Sequence, residues 1–194
     1  MNNRESGWSQ YYANRFKTPR PEVIEALQYV TIKHDALDLG SGSFIESKYL
    51  LSRGFNVTAV DPEEVLLKKT TSFPEHQFQF ECSKIEDYQP PKNYFDFICA
   101  NYSLPWVPKE FLPAVFARIK NSLNDNGVFC FQLFGVDDGW NDSTNESISF
   151  FTEDEVMSLV TKFTVISFKE TKTTKRGVQS NKKLWHVYSL IVKK

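Results

Sequence analysis

Short apolar runs alternate with amphipathic stretches through the first two thirds of the chain. "ALDL" at 36–39 and "FNVTAV" at 55–60 flank a segment of helical spacing, which predicts a strand–helix–strand unit. "QFQFE" at 77–81, "YFDFICA" at 94–100 and "GVFCFQLF" at 127–134 predict the third, fourth and fifth strands. Pro108 opens a predicted helix that carries Phe111, Val115 and Ile119 on one face. Strands alternating with helices imply a parallel sheet covered on both faces.

Start and stop signals sharpen these elements. Ser43 and Glu46 predict a capping box for the first helix, with Gly54 as the left-handed residue after it. The loop before that helix is thereby expected to end at free backbone N–H groups. Asp61 is expected to cap a second helix beginning "PEEV", with Pro62 where a missing N–H is harmless. Thr152 and Glu155 box a last helix. After it, "FTVISFKET" and "LWHVYSLIVKK", joined by the polar "KTTKRGVQSNKK", predict an antiparallel hairpin. The stretch 135–149 is a long polar loop, of a length that usually serves function or mobility. The predicted fold is α/β: a doubly wound, seven-stranded, mostly parallel sheet ending in an antiparallel hairpin.

At 194 residues and 41% hydrophobic content, one sizeable core is expected. The expected organisation is a single domain over 1–194, with a helical cap at 1–34 and the core sheet at 35–194. The net charge of -1 gives no sequence-wide reason to bind nucleic acid or an anionic membrane. No stretch approaches the roughly 20 apolar residues of a membrane span, nor is there a signal-peptide core, which predicts a cytoplasmic protein. Cys82, Cys99 and Cys130 form no C-x-x-C pair and read as buried reduced thiols, and no metal site is expected.

The chemistry concentrates in "DLGSGSF". In an open parallel sheet, ligands bind outside the carboxyl ends of the strands where chain order reverses. Gly40 and Gly42 permit a tight turn and close backbone approach. Asp38 places a carboxylate that suits a cationic or amine-bearing ligand better than a pyrophosphate. Asp61, 19 residues after Gly42 at the next strand end, is positioned to accept ribose hydroxyls. A dinucleotide fingerprint would require glycine at position 45, where the chain has Ile45. A phosphate loop is also absent.

These residues resemble the class I S-adenosylmethionine-dependent methyltransferases, whose first motif is an acid followed by G-x-G-x-G. Asp38, Gly40 and Gly42 match, and Phe44 replaces the third glycine. "YYANRFKTPRPEVIEAL", "NYSLPW" and "QLFGVDDGW" look more narrowly like small single-domain bacterial methyltransferases of the tellurite-resistance type. The resemblance implies a Rossmann-like methyltransferase fold with S-adenosylmethionine as cofactor. Asp38, Gly40, Ser41 and Gly42 would surround its methionine part, and Asp61, followed by Pro62, would bind its ribose. Asn101 and Tyr102 would line the floor near the sulfur, and Ile85 and its backbone would contact adenine.

Methyl transfer is an in-line displacement that gains mostly from positioning, so no fixed catalytic motif is required. Tyr11, Tyr12, Tyr102, Trp106 and Trp140 are candidates to steady the sulfonium, each weighed against ordinary packing. Arg20 is a candidate for the cofactor carboxylate. His186 and Tyr102 are the catalytic candidates, with a structural histidine as the competing reading of His186. The acceptor is expected to be a small molecule, since the strand-four end reads "NYSLP" and lacks the [DNS]-P-P-[YF] that grips a nucleic-acid amine. Two alternatives remain: a cofactor-binding module without catalysis, and a nicotinamide oxidoreductase, which Asp38, Ile45 and the hairpin disfavour.

Overall fold

The computed structural model describes residues 18–141, 147–176 and 182–194. Its strands are β1 (Asp35–Leu39), β2 (Asn56–Asp61), β3 (Phe78–Cys82), β4 (Phe95–Ala100), β5 (Leu123–Gly135), β6 (Phe150–Phe151), β7 (Thr164–Arg176) and β8 (Lys182–Lys193). The helices are α1 (Pro21–Ala26), α2 (Ile45–Ser52), α3 (Leu112–Ser122) and α4 (Glu153–Leu159). The main path of the sheet runs β3–β2–β1–β4–β5–β8–β7, with β6 added alongside β5. β1 to β5 are parallel, whereas β8 pairs antiparallel with both β5 and β7. Chain order therefore reverses between β1 and β4, which opens a crevice at their carboxyl ends.

Every residue of β1 and β4 is buried, because both faces of the sheet are covered. On one face Leu37, Leu39, Ile98, Phe129 and Phe131 pack against Leu112, Val115, Phe116 and Ile119 of α3. The Phe116 ring meets Phe131 edge-on at 5.1 Å. On the other face Ala36, Phe97, Cys99, Val128 and Cys130 lie under Val23 and Ala26 of α1 and Leu50 of α2. Among the described residues, no helix is long and apolar enough to cross a membrane.

The hairpin, the Thr152–Glu155 capping box and the left-handed Gly54 form as expected. Four local expectations are corrected. The α2 cap is Phe44 in left-handed conformation, not Ser43, and no side chain caps it. Glu46 accepts instead from the Arg20 N–H at 3.2 Å. The helix after β2 is a 3-10 helix beginning at Glu64, so Pro62 lies outside it, and Asp61 turns its carboxylate back to the Glu63 N–H. Phe111 is 48% exposed, because α3 starts one residue later and buries Leu112 instead. Cys82 is exposed rather than buried, because it ends the edge strand β3. The two-residue β6 was not anticipated; it is too short to carry an alternating pattern.

Candidate active site

The loop after β1 bends through two left-handed residues, Gly40 at φ 74° and Gly42 at φ 48°. A Cβ on Gly40 would lie 2.2 Å from the Cβ of Ser103, whose hydroxyl donates to the Leu39 carbonyl at 2.6 Å. The turn after β1 and the segment after β4 thus interlock with no room for a side chain. Phe44 is also left-handed, at φ 61°, so it keeps the backbone shape that a third glycine would give. Its ring is buried edge-on against Phe73, Phe78 and Phe80. Burying a phenylalanine is worth about 2 kcal/mol, enough to offset a left-handed penalty of about 1 kcal/mol.

The loop's N–H groups are largely consumed within the protein. Gly40 and Ser41 donate to the Val60 carbonyl, Phe44 donates to the Ser41 carbonyl, and Gly42 donates to Asp61 Oδ2 at 2.9 Å. This is the physical reason the loop is unsuited to a diphosphate, which needs those donors turned outward.

Two acids sit at this edge in different states. Asp61, 3% exposed, accepts the Gly42 and Glu63 N–H groups on separate oxygens. Burial raises its pKa and those two bonds oppose the shift. Asp38, 2% exposed, accepts from the Ser47 hydroxyl at 2.6 Å and the Cys99 thiol at 3.5 Å. Burial, then the nearby Glu46, push its pKa up to about 7, against the bonds from Ser47 and Cys99. Asp38 therefore faces α2 and β4, and anchors the loop from beneath. Burial also holds the Cys99 and Cys130 thiols well above their ordinary range, so neither is a nucleophile.

Asn101 and Tyr102 follow β4. Ser41 Oγ, both amide atoms of Asn101 and Gln132 Nε2 are buried and have no hydrogen-bond partner among the described residues. Such groups are rare in native proteins, and they gather here at the carboxyl ends of β1, β4 and β5. Tyr102 has φ 56°, and its N–H donates to Gln132 Oε1 at 3.3 Å. The Arg20 guanidinium lies 4.7 Å over the Tyr102 ring, which brings Arg20 to the same edge.

Beyond Tyr102 the wall becomes aromatic. Phe134 lies 6.0 Å from Tyr102 and 5.7 Å from Trp140, and Trp140 lies 5.1 Å from Trp185 and 6.5 Å from Trp106. The Lys183 ammonium sits 3.5 Å and 3.8 Å from the centroids of Trp140 and Trp185 and pairs with the buried Asp138. Asp138 also accepts the N–H groups of Trp140 and His186.

Two expected site residues are buried. The Ile85 side chain, 8% exposed, packs with Leu37 and Leu39. His186 is 1% exposed on the face opposite Gln132. Its Nδ1 accepts from the Asp137 N–H at 3.1 Å and its Nε2 meets Glu170 at 2.8 Å. Both ring nitrogens are occupied, which fits the structural reading. Pro62 is exposed beside Asp61. Tyr11 and Tyr12 lie outside the described residues. Sequence reasoning missed Ser47, Ser103, Gln132 and the Asp138–Lys183 pair. Only Gln132 carried a signal, as a lone amide within "FCFQLF".

A doubly wound sheet with acids ending β1 and β2 and a glycine turn between them defines a class of nucleoside-cofactor enzyme. A sequence profile described as a methyltransferase domain matches residues 11–167, and the chain belongs to that family of S-adenosylmethionine-dependent methyltransferases. Its fold is similar to that of TehB from Haemophilus influenzae, at 19% identity and TM-score 0.76, over 96% of this chain and 65% of that one. It is similar to a 1,6-didemethyltoxoflavin-N1-methyltransferase from Burkholderia thailandensis, at 21% identity and TM-score 0.70, over 90% and 77% of the two chains. A methyltransferase from Methanosarcina mazei matches at 19% identity and TM-score 0.68, over 91% and 98%. No curated protein matches the sequence.

Proposed function

We propose that the protein transfers a methyl group from S-adenosylmethionine to a small-molecule acceptor, with catalysis mainly from positioning. One observation carries this reading: the Asp61 carboxylate is held by the Gly42 and Glu63 N–H groups at the same carboxyl edge of the sheet as the orphaned amide of Asn101. Each Asp61 oxygen keeps a lone pair for a ribose hydroxyl after accepting one N–H. Ser41 and Asn101 offer the hydroxyl and amide that an amino-acid moiety needs. The residues present fit the cofactor.

When bound, S-adenosylmethionine supplies an electrophilic methyl carbon on a sulfonium sulfur, which departs as a neutral thioether. The chain's own residues do the rest. Asp61 fixes the ribose, while the Gly40–Gly42 turn sets how closely a ligand approaches the backbone. Asn101 and Tyr102 border the reacting end, with the Arg20 guanidinium over the Tyr102 ring. Arg20 is placed for a carboxylate at the same edge. Asp38 acts through the loop it anchors, as a positioning residue, and Pro62 offers only a surface beside the ribose acid. Holding nucleophile and methyl carbon in line supplies the larger part of such a rate enhancement. The Burkholderia neighbour was solved with bound 1,6-didemethyltoxoflavin and S-adenosylhomocysteine, which supports a small-molecule acceptor here.

Calorimetric titration with S-adenosylhomocysteine tests the reading. A saturable one-to-one isotherm is expected, and no heat of binding with the folded protein would overturn it.

A further inference from the structure

The wall beyond Asn101 has a chemistry of its own. Gln132 is fully buried in β5, and its amide orientation is settled because Oε1 accepts the Tyr102 N–H. What remains is Nε2, a donor with no partner among the described residues. A buried unpaired donor selects a ligand that presents an acceptor atom, and disfavours one that presents only N–H groups or positive charge.

Charge and shape at the same wall point the same way. Phe134, two residues on from Gln132 along β5, shares its face of the sheet, and with Tyr102, Trp140 and Trp185 it forms a run of contacting rings. A cationic ligand would use those rings as an ammonium cage. Here the cage already holds the Lys183 ammonium, which is neutralised by Asp138, and the Arg20 guanidinium covers Tyr102. Two cations of the chain thus already sit on faces of Trp140, Trp185 and Tyr102, and they favour a ligand that brings no positive charge of its own.

We propose that this wall is the methyl-acceptor subsite, and that it takes a flat aromatic or heteroaromatic ring whose edge is an anionic or neutral hydrogen-bond acceptor. The proposal rests on the methyltransferase reading and names its substrate class. Gln132 is the residue that sets the edge preference.

Three probes separate the requirements: 4-hydroxycoumarin, flat with an enolate edge; dimedone, with a similar acidic edge but no aromatic ring; and 2-naphthylmethylamine, flat but cationic. Each is titrated calorimetrically into the full chain saturated with S-adenosylhomocysteine. The hydroxycoumarin should bind at least about tenfold more tightly than either of the others. Gln132→Leu removes the donor without adding a charge. The advantage of hydroxycoumarin over naphthylmethylamine should then fall to within about threefold, with S-adenosylhomocysteine affinity held within about threefold. Failure of the hydroxycoumarin to bind, a wild-type preference for the amine, or an unchanged advantage in a folded Gln132→Leu would each overturn the proposal. Failure of the methyltransferase reading would show separately, as no binding of S-adenosylhomocysteine in the first titration.

Discussion

At the β1–β2 edge the site is made of backbone and two carboxylates, while at the β5–β8 edge it is made of aromatic rings around one ammonium. The first holds its shape by hydrogen bonds to carboxylate and backbone oxygens: Gly42 to Asp61, Ser47 to Asp38, Ser103 to Leu39. The second is assembled from Tyr102, Phe134 and Trp140 around the end of β5, joined by Lys183 and Trp185 because β8 pairs antiparallel with β5. A conserved chemistry needs fixed dipoles, and a variable acceptor needs adaptable surface. On the proposed reading, the cofactor lies at the first end and acceptor specificity at the second.

The largest expected effect breaks the first end. Gly40→Val meets Ser103 and the left-handed φ together, and should abolish S-adenosylhomocysteine binding while lowering stability by more than about 3 kcal/mol. Calorimetry and denaturant unfolding measure both. Phe44→Ala should cost about 3 kcal/mol of unfolding free energy, from the lost ring packing. Phe44→Gly should cost about 1 kcal/mol less than Phe44→Ala, although glycine is smaller, because it relieves the left-handed strain.

Asp38 gives this end a pH signature. Its folded pKa is raised from 3.8 to about 7, so across that window the unfolded chain has lost the proton that the folded chain keeps. Its contribution to stability therefore falls as pH rises from about 4 to 7 and levels off above, by on the order of 4 kcal/mol. Asp38→Asn should remove that part of the slope in denaturant midpoints measured from pH 4 to 8. At the other end Gly135→Ala places a Cβ 2.2 Å from the His186 ring, and should destabilise by about 1 to 2 kcal/mol. Cofactor affinity should stay near wild type. Thermal melts with and without S-adenosylhomocysteine separate the two effects.

Most of the sheet was legible because its strands are buried on both faces and read as continuous apolar runs. β1, β4 and β5 announce themselves in "ALDL", "YFDFICA" and "GVFCFQLF". Asp38, Gly40, Gly42 and Asp61 were legible because their spacing follows from the strand–turn–helix geometry that places them. The Ser43–Glu46 capping box was misread because local spacing cannot show that Arg20, 26 residues earlier, claims the Glu46 carboxylate. The Asp138–Lys183 pair spans 45 residues and joins a loop to a strand, so nothing in the local sequence foretells it.

The most direct test of the cofactor assignment is the affinity of Asp61→Ala for S-adenosylhomocysteine, measured by titration calorimetry beside wild type, with a denaturant melt to confirm folding. Loss of the ribose acceptor and of the Gly42 anchor should weaken binding by at least about tenfold. Affinity equal to wild type in a folded Asp61→Ala protein would contradict the placement of the cofactor at the β1–β2 edge.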